Sequence, residues 1–383
     1  MGAHHPRHAV PETRRMQRIA LVVIAPIAIV TLAAMVWLWP AEGIPVPEQR
    51  GSAEQVAGQV TAIDREECPE QLPDEVNGCG TATVRVTEGA DKGQDVEVPL
   101  PNGTGAPEVA EDDSVVMIET ASPDGESYTI VDHQRSTGLW VLMAAFTLAL
   151  VAFGRWRGLT ALAGLAVTFA LLLFFVVPAI LAGEPPLLVA IVGSCAIMLT
   201  VLYLTHGFGL STTVAVLGTL ISLTLTGLLS AATVAALHLT GVTDDISASV
   251  GITQGVNTQG LLLAGIVIGS LGVLDDVTVT QAATVTELAR ANPSYRFGQL
   301  YRAGSRVGRS HIASVVNTII LAYAGSSLPL LILIVANNDS FGAVVTDQII
   351  AQEIVRSVVA TLGLIAAVPL TTALAALTFR KDP

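Results

Sequence analysis

The sequence predicts an all-α polytopic membrane bundle of about eight transmembrane helices with one small extracytoplasmic β domain, for which an OB-like barrel is a candidate form. Three observations predict it. Hydrophobic residues make up 51% of the 383 residues and charged residues only 13%, against roughly 25% charged in soluble domains. The apolar residues arrive in long blocks, each enough to cross about 30 Å of hydrocarbon at about 1.5 Å per residue. The acids are segregated: residues 41–136 hold 21 Asp/Glu and 5 Arg/Lys, and the rest holds 11 acids and 14 bases. The formal net charge of -13 therefore describes one domain.

Residues 1–40 read as a cytoplasmic N-terminus and a first membrane anchor. Arg7, Arg14, Arg15 and Arg18 precede an apolar block from Ile19 to Trp39. That block is longer than the roughly 7–15 residues of a signal-peptide core. It ends Trp37-Leu38-Trp39-Pro40, an aromatic end suited to a membrane interface. An uncleaved anchor with its N-terminus in the cytoplasm is expected.

Residues 41–136 contain no span. Runs rich in β-branched residues alternate with turn residues, giving expected strands at Gln55–Ile63, Ala82–Thr87, Gln94–Leu100, Ser114–Thr120 and Ser127–Val131. Pro73-Asp74, Asn102-Gly103 and Pro123-Asp124-Gly125 punctuate them. OB-folds often bind nucleic acid, but this domain is acidic, and the chain has no basic stripe with interleaved aromatics. Nucleic acid is therefore excluded as a partner, whereas a protein partner outside the cytoplasm is not. Cys68 and Cys79 share this domain and Cys195 lies in an apolar block. A disulfide between Cys68 and Cys79 is expected outside the reducing cytosol, with two free thiols as the alternative. No histidine or further cysteine lies beside the pair in sequence, so a zinc site is a poorer reading.

Residues 137–383 read as a seven-helix transmembrane domain. Its blocks are Thr137–Phe153, Leu159–Leu181, Leu187–Thr205, Ser211–His238, Asn257–Thr280, His311–Val335 and Glu353–Thr378. With the N-terminus inside, all but one of the 14 bases outside the acidic domain fall in cytoplasmic segments; Arg356 is the exception. Such a bias sets orientation. It favours an even number of spans and both termini in the cytoplasm.

Three phrases resemble the YibE/F-like family of bacterial multi-pass membrane proteins. They are the stretch from Gly265 to Asp276 (GIVIGSLGVLDD), the stretch from Asn317 to Pro329 (NTIILAYAGSSLP) and the stretch from Gly363 to Thr372 (GLIAAVPLTT). The family's Gly-x-x-Gly-x-x-x-Asp pattern falls on Gly269, Gly272 and Asp276, with Asp275 as an additional adjacent carboxylate. The resemblance implies the fold, the membrane setting and a transport role without a defined chemistry.

The candidate site follows from helical spacing. Gly265, Gly269, Gly272, Asp276 and Thr280 share one face at 100° per residue, with Asp275 at its border. Small residues on one face permit close helix packing, so Gly265, Gly269 and Gly272 are expected to pack and Asp276 to be buried with them. Counting from Asn257 places Asp276 toward the cytoplasmic boundary. His311 is expected at a similar depth and shares a face with Thr318. A carboxylate near a histidine could bind a cation or relay a proton; the bland alternative is a pair of acids marking the end of a span and an interfacial histidine. Gly325–Pro329 and Val368–Thr372 are expected to break their helices.

No phosphate-binding glycine loop, His-Glu-x-x-His or Gly-x-Ser-x-Gly is present. The chain is thus not expected to be an enzyme or to use a cofactor beyond a bound cation or proton. The favoured reading is an ion- or proton-coupled secondary transporter or permease, with Asp276 as coupling acid and Asp275, Thr280, His311 and Thr318 nearby. The alternatives are a membrane scaffold or sensor whose β domain binds a partner, and an intramembrane enzyme. The lipid bilayer is an obligate partner, and a homo-oligomer is compatible with this reading.

Overall fold

The computed structural model describes residues 14–40, 54–68, 76–122, 125–242, 244–336 and 341–379. Pro73-Asp74, Pro123-Asp124 and the terminal bases Arg7, Arg380 and Lys381 lie outside the described residues. The chain divides into two units, Val46–Arg155 and a second made of Met1–Pro45 with Trp156–Pro383.

The first unit holds five strands: β1 (Glu54–Glu66), β2 (Cys79–Val86), β3 (Asp95–Pro99), β4 (Ser114–Ser122) and β5 (Gly125–His133). They form one antiparallel sheet in the order β3-β2-β1-β4-β5. The long β1 serves two partners: Glu54 to Gln59 pair with β4, and Gly58 to Glu66 pair with β2. A bulge between Val60 and Ala62 lets one strand turn between them. Val56 and Val60 point to the core, where Val84, Val98, Val115, Met117 and Ile130 are buried with them.

Asn77 locks the loops at one end. Its side-chain amide donates to the carbonyls of Pro101 (2.6 Å) and Pro107 (2.8 Å), and its oxygen accepts from Val109 N–H (2.7 Å). Cys68 and Cys79 stand with sulfurs 2.10 Å apart, at disulfide distance. Two surface ion pairs join neighbours: Arg85 holds the Asp95 carboxyl, and Arg135 holds that of Asp132, below the usual aspartate range through hydrogen bonding. This unit also contains helix α2 (Ser136–Gly154), an apolar helix with no buried residue.

The second unit is helical. It comprises α1 (Arg14–Trp37), α3 (Trp156–Leu171), a π-helical turn (Leu172–Val176), α4 (Val177–Leu181), α5 (Pro186–His206), α6 (Leu210–Ala236) and α7 (Asp245–Gln254). It continues with α8 (Thr258–Ala291), α9 (Phe297–Ser326), α10 (Leu328–Ala336), α11 (Phe341–Thr346) and α12 (Gln348–Phe379). Among the described residues, six helical stretches are long and apolar enough to cross a bilayer: α2, α3 through α4, α5, α6, α8 and α12. α1 contributes a shorter apolar helix, Leu21–Trp37. The expected span His311–Val335 is not one helix. α9 begins fourteen residues earlier, at Phe297, and ends at Ser326; α10 starts anew at Leu328, so the Gly325–Pro329 break is present.

α6, α8 and α12 pack on one another at the centre. Small residues make this possible. α6 presents Gly218, Ser222, Thr226 and Ser230, and α12 presents Gly363, Ala367, Thr371 and Ala375, all buried and each four residues apart. A Cβ added at Gly218 would collide with Thr371, and one at Gly363 with Thr226. This is small-x-x-x-small packing, the means by which membrane helices approach closely. α12 stays helical through Pro369, so no break forms at Val368–Thr372; there the Thr372 hydroxyl donates to Val368 C=O at 2.6 Å.

Candidate functional site

The carboxylates Asp275 and Asp276 sit at the midpoint of the 34-residue α8. Polar contacts fix their level in the bundle. Thr278 Oγ1 meets Thr219 Oγ1 of α6 at 2.6 Å, and two turns on Thr286 donates to Ser211 at 3.4 Å. The two helices therefore run antiparallel, and one turn back from Thr278 Asp275 lies level with Ser222. Ser222 is close to the middle of the 27-residue α6. The acids are thus at mid-bundle, deeper than the expected cytoplasmic boundary. The cause is that α8 runs on to Ala291, eleven residues past Thr280, where the apolar block was read to stop.

The face expected to be packed is not packed within this chain. Gly265, Gly269, Gly272, Asp276 and Thr280 are all exposed. Nothing stands within 4 Å of a Cβ built at Gly265 or Gly272, and at Gly269 the neighbour is Tyr323 Oη at 3.5 Å. The buried face of α8 is instead Val267, Leu271, Leu274, Thr278, Gln281 and Val285. Polarity cannot orient a helix whose core side and lipid side are both apolar.

Asp275, assigned to the border of the face, is the inward acid. Its residue is partly buried, and its Oδ1 is shielded from solvent with no hydrogen-bond partner. Among the described residues three further hydroxyls of the central helices, Ser222 Oγ, Thr361 Oγ1 and Thr371 Oγ1, are shielded without partners as well. Most other hydroxyls nearby donate to backbone four residues earlier: Thr219 to Ala215, Thr226 to Ser222 and Ser230 to Thr226. Of these groups, Ser222 and Asp275 are the pair at one level of the bundle left with capacity for a guest.

His311 is partly buried on α9, with Nε2 shielded and unpartnered. Thr318 is exposed and donates to Ser314 C=O at 3.1 Å. Among the described residues no group of three His, Cys, Asp or Glu side chains gathers to hold a metal ion. The structure thus separates the predicted set: Asp275 points inward, and Asp276, Thr280 and Thr318 point outward.

Sequence reasoning missed two devices. Gln281 is buried and ties three helices: its Nε2 donates to Gly304 C=O of α9 at 2.9 Å and to Thr372 Oγ1 of α12 at 2.7 Å. Gly304 and Gly308 permit this, since a Cβ at either would press on Val285 or Val368. Their spacing of four was the available signal. The second device lies at the other end of α6 and α8. Thr258 donates to Thr240 C=O (2.8 Å), Gln259 to Leu239 C=O (2.9 Å) and Gln352 to Val242 C=O (2.9 Å). These bonds stitch the loop after α6 to α8 and α12. Beside it α7 borders a cavity of about 630 Å³ lined by His238, Thr240, Val242, Gly251 and Asn257.

Comparison with known proteins gives one match. A family model described as YibE/F-like protein matches residues 142–381. No curated protein and no solved structure matches the chain.

Proposed function

The chain belongs to the YibE/F-like family, and from that premise we propose that it is an ion- or proton-coupled secondary transporter or permease whose coupling acid is Asp275. The family name carries no chemistry, so the reading rests on one observation: a carboxylate at mid-bundle with an oxygen shielded from solvent and, among the described residues, without a hydrogen-bond donor. A charge at the centre of a bilayer costs about 2.5–3.5 kcal/mol on insertion scales, so acids kept there mark ion and proton pathways. A bound cation or a proton would neutralise Asp275, with the open hydroxyl of Ser222 at the same level of the bundle. Asp276, one residue on and outward, is no longer the first choice for this role.

The same reading carries a topology and a domain form. Eight spans follow when α1 and the α9–α10 pair are counted with the six long apolar helices. Both termini then lie in the cytoplasm, the acidic unit lies outside, and the setting is a bacterial inner membrane. The β unit is read as OB-like: its strand order β3-β2-β1-β4-β5 and the approach of β3 to β5 suit a small closing barrel. The chain is read as neither an enzyme nor a cofactor protein.

The test is uptake into proteoliposomes across a panel of ions, with and without a pH gradient. Wild type is expected to move one of them, and Asp275→Asn to lose that flux while remaining folded. Full activity in Asp275→Asn would sink the site. No flux of any kind by wild type would sink transport and leave the scaffold reading.

A further inference from the structure

The outward face of α8 and α9 carries charges that a lipid-facing surface should not. Asp276 is exposed at the midpoint of α8 and, among the described residues, makes no hydrogen bond or ion pair. Arg302, Arg306 and Arg309 are exposed on α9, and among the described residues none pairs with a carboxylate. Arg309 makes one bond, from Nε to Ser305 C=O at 3.3 Å.

Depth makes Arg309 the informative one. It follows Gly308, whose Cα is held against Gln281 and Val368. Gln281 bonds Thr372, and Thr371 beside it rests on Gly218 of α6. Gly218 is eight residues into α6, about 12 Å from its first turn. Arg302, nearer that end, can snorkel to the interface. Arg309 and Asp276 lie well inside, where a charge is costly unless covered.

We propose that this face is an interface between two copies of this chain, in which Asp276 of each protomer meets the partner's Arg309. Each protomer exposes both signs on adjacent helices, so a twofold axis can satisfy each with the other, as an isologous contact requires. A lipid headgroup can offer a phosphate to Arg309, but it lies too far out to reach Asp276 at the midpoint of α8. The space over Gly265 and Gly272 on α8 is open to an approaching helix. Small residues with flanking polar groups are how membrane helices associate. The proposal is independent of transport.

Full-length protein in lipid nanodiscs, sized by mass photometry, tests it. Wild type is expected to dimerise. Asp276→Arg and Arg309→Asp should each weaken the dimer by about tenfold or more, and the double swap should restore it. A second arm places Gly272→Cys in a Cys195→Ser background, where oxidation should yield a covalent dimer. A monomeric wild type, a dimer indifferent to both single swaps, a double swap that fails to recover, or no crosslink at position 272 would each overturn the proposal. So would native mass spectrometry that finds only monomers carrying anionic lipid.

Discussion

Two glycine sets look alike in the sequence and do opposite things in the structure. Gly218 and Gly363 lie where α6 and α12 touch, and Gly265 and Gly272 lie over empty space. A side chain at Gly363 must displace Thr226, which is held by its own bond to Ser222 C=O at 2.8 Å. Gly363→Leu is therefore expected to cost about 3 kcal/mol or more of stability through overpacking. Gly265→Leu should leave the protomer intact and act, if anywhere, on association. Folded yield and thermal midpoint in detergent compare the two; equal loss in both would refute the packing assignment. The residue types were legible in the sequence, but their direction was not. Helical spacing correctly grouped Gly265, Gly269, Gly272 and Asp276 on one face. Which way that face points is decided by tertiary partners such as Gln281 and Thr278, whose role only the bundle reveals.

Regular elements were more legible than the site they carry. All five strands fall where β-branched runs placed them, because in a small soluble sheet alternation separates core from solvent. Cys68 and Cys79 fall in the same domain, and the structure joins them across a sequence separation of 11. On the loop-entropy account this contributes about 3 kcal/mol. Cys68→Ser or Cys79→Ser should lower the melting midpoint of the β unit, and reductant should do the same to wild type but not to the variants. Reductant that lowers the variants equally would argue against the bond. The short helix α7 escaped notice, although its N-terminal signal was present. Asp244 accepts from Ser247 N–H at 2.7 Å, and Ser247 Oγ accepts from Asp244 N–H at 3.0 Å. The bond from the Ser247 N–H is the main reason its carboxyl stands below the usual aspartate range. A depressed folded value means that this cap stabilises α7 above the ordinary aspartate range and is lost as pH falls through the folded value. Amide exchange in α7, corrected for its intrinsic pH dependence, should thus accelerate only in acid beyond ordinary aspartate titration; Asp244→Ala should already exchange fast at neutral pH.

The arrangement of the whole chain in the membrane follows from charge and length together. Six stretches are long and apolar enough to cross on their own. The α9–α10 pair differs because the first half of α9 carries Arg302, Arg306 and Arg309, and Ser327 interrupts the helix before α10. Length alone leaves this segment uncounted, and the proposed eight-span topology counts it on account of the bases. Cytoplasmic segments retain arginines because moving them across the bilayer is costly. In the proposed topology the N-terminal arginines, Arg155 before α3, Arg157 in its first turn, Arg290 in the last turn of α8 and Arg296 before α9 share one side, and Arg380 and Lys381 join them only if α9 and α10 together return the chain across the membrane. Without that return, α12 would start inside, and Arg380 and Lys381 would emerge outside. Protease added to intact spheroplasts is therefore expected to cut within residues 41–136 and spare a tag at either terminus. A protected N-terminal tag with a cleaved C-terminal tag would reduce the span count by one and place α9 and α10 on the membrane rather than through it.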